Sequence, residues 1–313
     1  MTSHLEFAPD VLPGYEAAPV AQGTLVRRVA QPAAPRGAVL HLHGHNDYFF
    51  QTHLADALAE AGYAFFAVDV RRCGRSLREG DLPHYFDDIS EQGEDLAAAI
   101  DAVGTLMPDA PLAVHAHSTG GLAAAVHLAS QGTAPVRALV LDSPWFGSPA
   151  TWRTRISPAV LPVIARRDPH AVVSEGRSLN ATRLLDLNGG PWHFDPAWKR
   201  PEGVPARAAW LLAVTRAQRT VARGLDLDIP VLAARAAAGG PESLDNPDHM
   251  RQDTVVDVRA ISRLAPRLGP HAEVLVVPDG IHDLCLSDDA PRRLYLDAVT
   301  AFLDRALAPG ARP

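Results

Sequence analysis

Ala113-Val114-His115-Ala116-His117-Ser118-Thr119-Gly120-Gly121 runs from an apolar, strand-like segment through a serine flanked by small residues into an alanine-rich helix. A serine on so sharp a strand-to-helix turn stands clear of the backbone, and the helix N-terminus behind it favours developing negative charge. Small residues two before and two after the serine suit the close approach of neighbouring backbones. The pattern is G-x-S-x-G with Ala116 in the first glycine position. Such a pentapeptide recurs by chance, so its meaning depends on the segments around it.

Those segments alternate. Apolar runs at residues 38–42, 64–68, 112–115 and 138–141 are separated by helix-like stretches at 52–61, 91–106 and 119–129. Two further strand candidates, 230–233 and 273–277, bracket a helical stretch at 257–268, and a last helix is expected over 291–307. Regular alternation of this kind predicts an α/β fold with a mostly parallel sheet and helices on both faces. The rhythm breaks between residues 145 and 227, which carry proline and glycine punctuation, short amphipathic segments and no clear strand. All five tryptophans fall there: Trp145, Trp152, Trp192, Trp198 and Trp210. We read 145–227 as a helical lid inserted into a core of 1–144 and 228–313, with Trp145, Trp192 and Trp198 facing a substrate pocket. For any one tryptophan, a place in the lid's own small core is the competing reading.

Composition narrows the function classes. A hydrophobic fraction of 47% with 21% charged residues is that of a globular domain. A formal net charge of -7 argues against nucleic acid or an anionic membrane as the partner. No run approaches the roughly 18 apolar residues of a membrane span. The start, Met1-Thr2-Ser3-His4, lacks the basic flank and apolar stretch of a secretory signal. Two cysteines, Cys73 and Cys285, cannot build a disulfide framework, and their spacing is not that of a zinc site. A cytoplasmic location is therefore expected. Lysine occurs once, at Lys199, among 29 Lys and Arg residues, which with the abundant alanine suggests a high-GC bacterial genome.

Ligands of open α/β sheets lie beyond the carboxyl ends of the strands, so the loops there should carry the chemistry. The first apolar run ends in His41-Leu42-His43-Gly44-His45-Asn46-Asp47. A glycine directly after a strand lets the next amide turn inward, which pairs the His45 N–H with that of Thr119 as an oxyanion hole. A serine hydroxyl needs a histidine to take its proton, and the histidine needs a carboxylate to fix its tautomer. Pro278-Asp279-Gly280-Ile281-His282-Asp283 follows the last strand through a glycine-containing turn and offers His282 as the base. The acid is read as Asp253, in Arg251-Gln252-Asp253-Thr254-Val255-Val256, with Asp257 and Asp142 as alternatives. Each could instead cap the helix that follows it, and Asp257, just before Val258-Arg259-Ala260-Ile261, suits that role best.

With these pieces in order the chain resembles the α/β hydrolases of the monoacylglycerol lipase, lysophospholipase and serine aminopeptidase-like group. The likeness rests on His43-Gly44 with Asp47, on Asp69-Val70-Arg71-Arg72-Cys73-Gly74-Arg75-Ser76, on His117-Ser118-Thr119-Gly120-Gly121, on Asp253-Thr254-Val255-Val256 and on Gly280-Ile281-His282. It implies an eight-stranded, mostly parallel sheet and an inserted lid. It also implies Ser118 as nucleophile, Asp253 as acid, His282 as base and the His45 and Thr119 amides as the oxyanion hole, with no cofactor. The implied reaction is cleavage of a small ester with an apolar group, with peptide or amide cleavage the runner-up. Three departures stand out: Ala116 in the elbow, Arg72-Cys73 in the turn after the second run, and Gly239-Gly240-Pro241 with some ten further residues before Asp253.

Two rival readings remain. His43-Gly44-His45-Asn46-Asp47 fits part of the H-x-H-x-D metal motif of metallo-β-lactamases, and His115-x-His117 adds a close pair, although Tyr48 stands where that motif has its final histidine. A small-ligand receptor on the same fold would need no turnover at all.

Overall fold

The computed structural model describes residues 5–147, 159–176, 179–308 and 310. In chain order its strands are β1 (Ala8–Pro9), β2 (Tyr15–Val20), β3 (Gly23–Arg28), β4 (Gly37–Leu42), β5 (Tyr63–Asp69), β6 (Leu112–His117), β7 (Val136–Asp142), β8 (Val172–Ser174), β9 (Ala206–Arg207), β10 (Val231–Ala236) and β11 (Ala272–Val277). The described helices are α1 (Thr52–Glu60), α2 (Ser90–Leu106), α3 (Ser118–Gln131), α4 (Leu161–Arg167), α5 (Leu179–Leu184), α6 (Ala208–Arg223), α7 (Val258–Leu264) and α8 (Asp289–Ala306).

The main sheet has the order β1-β2-β3-β5-β4-β6-β7-β10-β11. From β5 to β11 all pairings are parallel, while β1, β2 and β3 are antiparallel. The sheet thus has nine described strands where eight were expected. The extra one is the two-residue β1, paired with β2 through Ala8–Ala17 and Pro9–Glu16. It is too short and too exposed to announce itself by alternation.

The central strands read as continuous apolar runs because both faces are covered. In β4, Ala38, Leu40 and Leu42 join the core beneath α2, α3 and α6, whereas Val39 joins the opposite core beneath α1 and α8. Apolar residues on both faces leave no register in which β4 could present a polar side to water. The edge strand β11 is the exception, with Val274 and Val276 exposed.

Between β7 and β10 the chain makes its long excursion. It includes the short antiparallel pair β8–β9, which the absence of a strand pattern did not foretell. Helix α6 at its end is part of the core: Trp210, Ala213, Val214, Ala217 and Val221 are buried in the same cluster as α2 and α3. Trp152 lies outside the described residues. Among the described residues no helix is long and apolar enough to cross a membrane.

Candidate active site

Strand β6 ends at His117 and α3 begins at Ser118 with no residue between. Ser118 makes the turn at φ +53°, a left-handed conformation that costs a residue with a Cβ about 1–2 kcal/mol. The surroundings hold it there. A Cβ on Gly120 would stand 2.2 Å from the His43 carbonyl oxygen, and one on Gly121 would stand 3.1 Å from the Ala116 oxygen and from Pro144 Cβ. Only small residues allow β4, β6 and the first turn of α3 to approach this closely. Ala116 is fully buried in β6 and takes part in the parallel ladder, so the missing glycine there leaves the turn intact.

His282 sits on the loop after β11, and its Nε2 is 2.9 Å from Ser118 Oγ. On the other side of the ring, Nδ1 is 2.9 Å from Asp253 Oδ2. A carboxylate can only accept, so Nδ1 carries the proton and Nε2 is left to accept from the serine hydroxyl. Asp253 is almost wholly buried, and its other oxygen accepts the amides of Val255 at 2.7 Å and Val256 at 2.9 Å. These bonds fix the carboxylate on its own loop. The long approach to Asp253 is a detour that closes on itself: Asp253 N donates to Ala238 O and Gly240 N donates to Asp253 O. Residues 241–252 are thereby looped out, and Asp253 returns to a position just beyond β10.

The other two carboxylates are engaged elsewhere. Asp257 caps α7, accepting the Arg259 amide at 3.0 Å. Asp142, at the end of β7, is fully buried and accepts the Leu284 amide at 3.3 Å and the Cys285 thiol at 3.9 Å. Burial and the neighbouring Asp283 push its carboxyl well above the usual range. A string of buried polar groups continues behind the site on the far side of the sheet. His41 Nδ1 meets His115 Nδ1 at 2.9 Å, and His115 Nε2 meets the Tyr295 hydroxyl at 2.8 Å. Burial lowers the pKa of His115 to about 4 and holds those of His41 and His117 well below 6.5, so all three are neutral at pH 7. The His117 and His282 rings lie 4.8 Å apart, and a neutral His117 leaves His282 without a competing positive charge at close range.

The loop after β4 crosses directly over the serine: a Cβ on Gly44 would stand 3.0 Å from Ser118 Cβ. His45 follows it, and Thr119 is the second residue of α3, where amides have no partner within the helix. The His45 ring packs at 4.3 Å on Trp210, which lies 5.5 Å from Trp145, whose amide donates to Ser118 O. Burial lowers the His45 pKa to about 4. His43 ties this loop to the end of β5, its Nε2 accepting the Val70 amide and its Nδ1 donating to Gly44 O.

Among the described residues two groups have metal-compatible spacing, His115/Asp142/Cys285 and Asp47/His117/Asp283; His43, His45 and Asp47 are not such a group. In the first, burial raises the Cys285 thiol well above its ordinary value, and the thiol lies 3.9 Å from Asp142 Oδ2. In the second, Asp47 already holds the Lys199 ammonium at 2.8 Å.

Of the tryptophans singled out in the sequence, Trp145 touches the serine through its backbone, its amide donating to Ser118 O at 3.0 Å. Trp192 instead donates its indole N–H to Leu286 O at 2.8 Å, with His53 against one part of its ring and the Arg292 guanidinium over it. Trp198 meets Tyr48 edge-on at 5.1 Å, beside the Arg75 guanidinium. Both therefore pin the excursion between β7 and β10 to the core. Sequence reasoning missed the partners that the loop after β4 finds in that excursion, Lys199 and Arg200, although the singularity of Lys199 was a visible signal.

Comparison with known proteins gives a consistent picture. A family model described as serine aminopeptidase, S33, matches residues 33–187. A soluble variant of monoglyceride lipase from Saccharomyces cerevisiae, solved with a substrate analog, superposes with a TM-score of 0.68 at 17% identity, covering 97% of this chain and 96% of that one. A monoacylglycerol lipase from Paleococcus ferrophilus gives 0.63 at 18% identity over 88% of this chain and 96% of the other. A carboxyl esterase from Bacillus coagulans, solved with glycerol, gives 0.63 at 17% identity over 97% and 99%. No curated protein matches the chain by sequence.

Proposed function

We propose that this chain, which has the α/β-hydrolase fold and resembles the monoacylglycerol lipase, lysophospholipase and serine aminopeptidase-like group, is a serine hydrolase that cleaves carboxylic esters through an acyl-enzyme. The observation that carries the reading is the continuous line Ser118 Oγ–His282–Asp253, with both contacts at 2.9 Å. Three buried polar groups from three separate loops meet at the carboxyl edge of one sheet, on the strained turn where a nucleophile is presented.

In this mechanism Ser118 Oγ bonds to the ester carbonyl carbon while His282 Nε2 takes the hydroxyl proton. The carbonyl oxygen becomes an oxyanion held by the His45 and Thr119 amides, and Asp253 stabilises the imidazolium. The carbon–oxygen bond to the alcohol then breaks, and His282 returns its proton to the leaving oxygen. Water attacks the acyl-Ser118 carbonyl with His282 again as base, releasing the acid and restoring the serine. The excursion from 145 to 227 serves as the lid. The neutral His45 ring, backed by the indole of Trp210 and beyond it that of Trp145, supports an uncharged, partly apolar ester as substrate. Trp192 and Trp198 contribute through the lid's seating rather than by direct contact.

The test is covalent labelling of the purified protein with a fluorophosphonate, followed by peptide mass mapping. Labelling at Ser118 that is lost in His282→Ala is the expected result. A folded protein that takes no label would exclude an activated serine. A parallel assay of p-nitrophenyl esters against aminoacyl-p-nitroanilides decides between esterase and aminopeptidase, and ester turnover is expected to dominate.

A further inference from the structure

The loop that crosses Ser118 does not stand alone. Residues 194–200 of the excursion run beside residues 46–50 in the opposite direction, joined by contacts along both segments. Asn46 Nδ2 donates to Arg200 O at 2.9 Å, and Arg200 N donates to Asn46 Oδ1 at 2.9 Å. The next rung is Lys199 Nζ to Asp47 Oδ1 at 2.8 Å. The Trp198 ring abuts Tyr48, and the Tyr48 hydroxyl accepts the Asp195 amide at 2.8 Å. Phe50 packs against Phe194 at 5.2 Å with the rings tilted, and the Lys199 ammonium lies over both of those rings.

Two features show that these rungs impose a conformation on the loop. Asn46 is held at φ +53°, the left-handed region, and its side chain spends both of its polar ends on the Arg200 backbone. Asp47 is 2% exposed, with Oδ2 lacking a partner among the described residues, so the buried carboxylate depends on Lys199 for its charge compensation. Lys199 is itself 7% exposed and is the only lysine of the chain. An ion pair with so little water around it resists stretching, which makes it suited to setting a distance.

We propose that residues 194–200 form a clasp that places the oxyanion loop over Ser118, and that Lys199, through Asp47, is a positioning residue for the His45 amide. The proposal rests on the serine-hydrolase reading above. It makes the lid part of the catalytic geometry: the lid's 194–200 segment holds the loop whose amide must meet the oxyanion. A displacement of about 1 Å at such a donor is enough to cost one to two orders of magnitude in rate.

The experiment compares wild type, Lys199→Met, Lys199→Arg and Asn46→Ala as full-length proteins. Each is assayed with p-nitrophenyl butyrate per fluorophosphonate-titrated site, together with the affinity of a trifluoromethyl ketone that forms an oxyanion on Ser118. Lys199→Met is expected to lower kcat about 10–100-fold with KM changed less than about threefold, to weaken the ketone by a similar factor, and to be partly rescued by Lys199→Arg. Asn46→Ala keeps the ion pair, removes the two bonds to Arg200 and adds the strain of an alanine at φ +53°. It is expected to act in the same direction, and it carries the test if Lys199→Met does not fold. A normal kcat and ketone affinity per active site in either folded variant, even with a lowered melting temperature, overturns the proposal and leaves the serine mechanism standing. Failure of the wild type to label or turn over ester overturns both.

Discussion

Gly120 lies so close to the loop after β4 that a Cβ there would stand 2.2 Å from the His43 carbonyl oxygen. That oxygen is backbone, one residue before the glycine that packs on Ser118, so the contact couples the first turn of α3 to the loop after β4. Gly120→Ala is therefore expected to destabilise the fold by about 3 kcal/mol, the upper end for overpacking, because no flexible side chain can yield. It should also separate the His45 and Thr119 amides and lower kcat more than KM. Urea unfolding and steady-state kinetics check this together, and a wild-type midpoint would mean that the loop can shift freely.

The three carboxylates considered as the triad acid differ in what they bind. Asp253→Asn keeps the shape but removes the charge that fixes the His282 tautomer, and kcat is expected to fall by about 10⁴-fold with the midpoint little changed. Asp257→Ala removes a helix cap from α7 and should cost about 1 kcal/mol of stability with kcat per folded molecule unchanged. A large kcat loss at Asp257 with near-normal rates in Asp253→Asn would reverse the assignment.

The alternation of apolar runs and helical stretches marked the parallel half of the sheet because strands buried on both faces write themselves as unbroken apolar segments, as Ala64–Val68 of β5 does. The pair β8–β9 escaped for the opposite reason: three residues and two residues, paired only locally, carry no periodicity. The meeting of Ser118, Asp253 and His282 was legible because each residue follows a strand end, where this architecture gathers its ligands. What the tryptophans do was not. Trp192 and Trp198 were read as pocket lining, yet their partners are Leu286, His53, Arg292, Tyr48 and Arg75, none adjacent in sequence to an indole. The clasp from 194 to 200 was hidden likewise, since its rungs join residues about 150 positions apart, as between Asp47 and Lys199.

Ser118 pays a conformational penalty that its hydroxyl alone cannot explain. At φ +53° alanine is as strained as serine, whereas glycine is not. Both Ser118→Ala and Ser118→Gly are expected to abolish ester turnover. Ser118→Gly should nonetheless unfold at the higher urea concentration, by about 0.5–1 kcal/mol after the greater entropy of a glycine in the unfolded chain is subtracted. Equal midpoints would mean that the turn relaxes once the hydroxyl is gone. Retained turnover in either variant would remove Ser118 from the mechanism.

The dependence of stability on pH follows from the buried histidines. Burial lowers the His45 and His115 pKa values to about 4 and holds those of His41, His84 and His117 well below 6.5. The unfolded chain takes up protons at these positions as the pH drops below about 6.5, while the folded chain cannot, so they remove stability on acidification. Asp142, raised by burial and by Asp283, and Glu242, raised by burial, act in the opposite sense. Above about pH 3.8–4.5 the unfolded chain ionises these two carboxyls before the folded one does, so lowering the pH favours folding at those two sites. Five histidines outweigh two carboxyls. Stability is expected to fall between pH 7 and pH 5, in urea melts at matched ionic strength, and to return when the pH is restored. A midpoint that is flat or rises on acidification would mean that water or rearrangement lets the buried imidazoles charge within the fold.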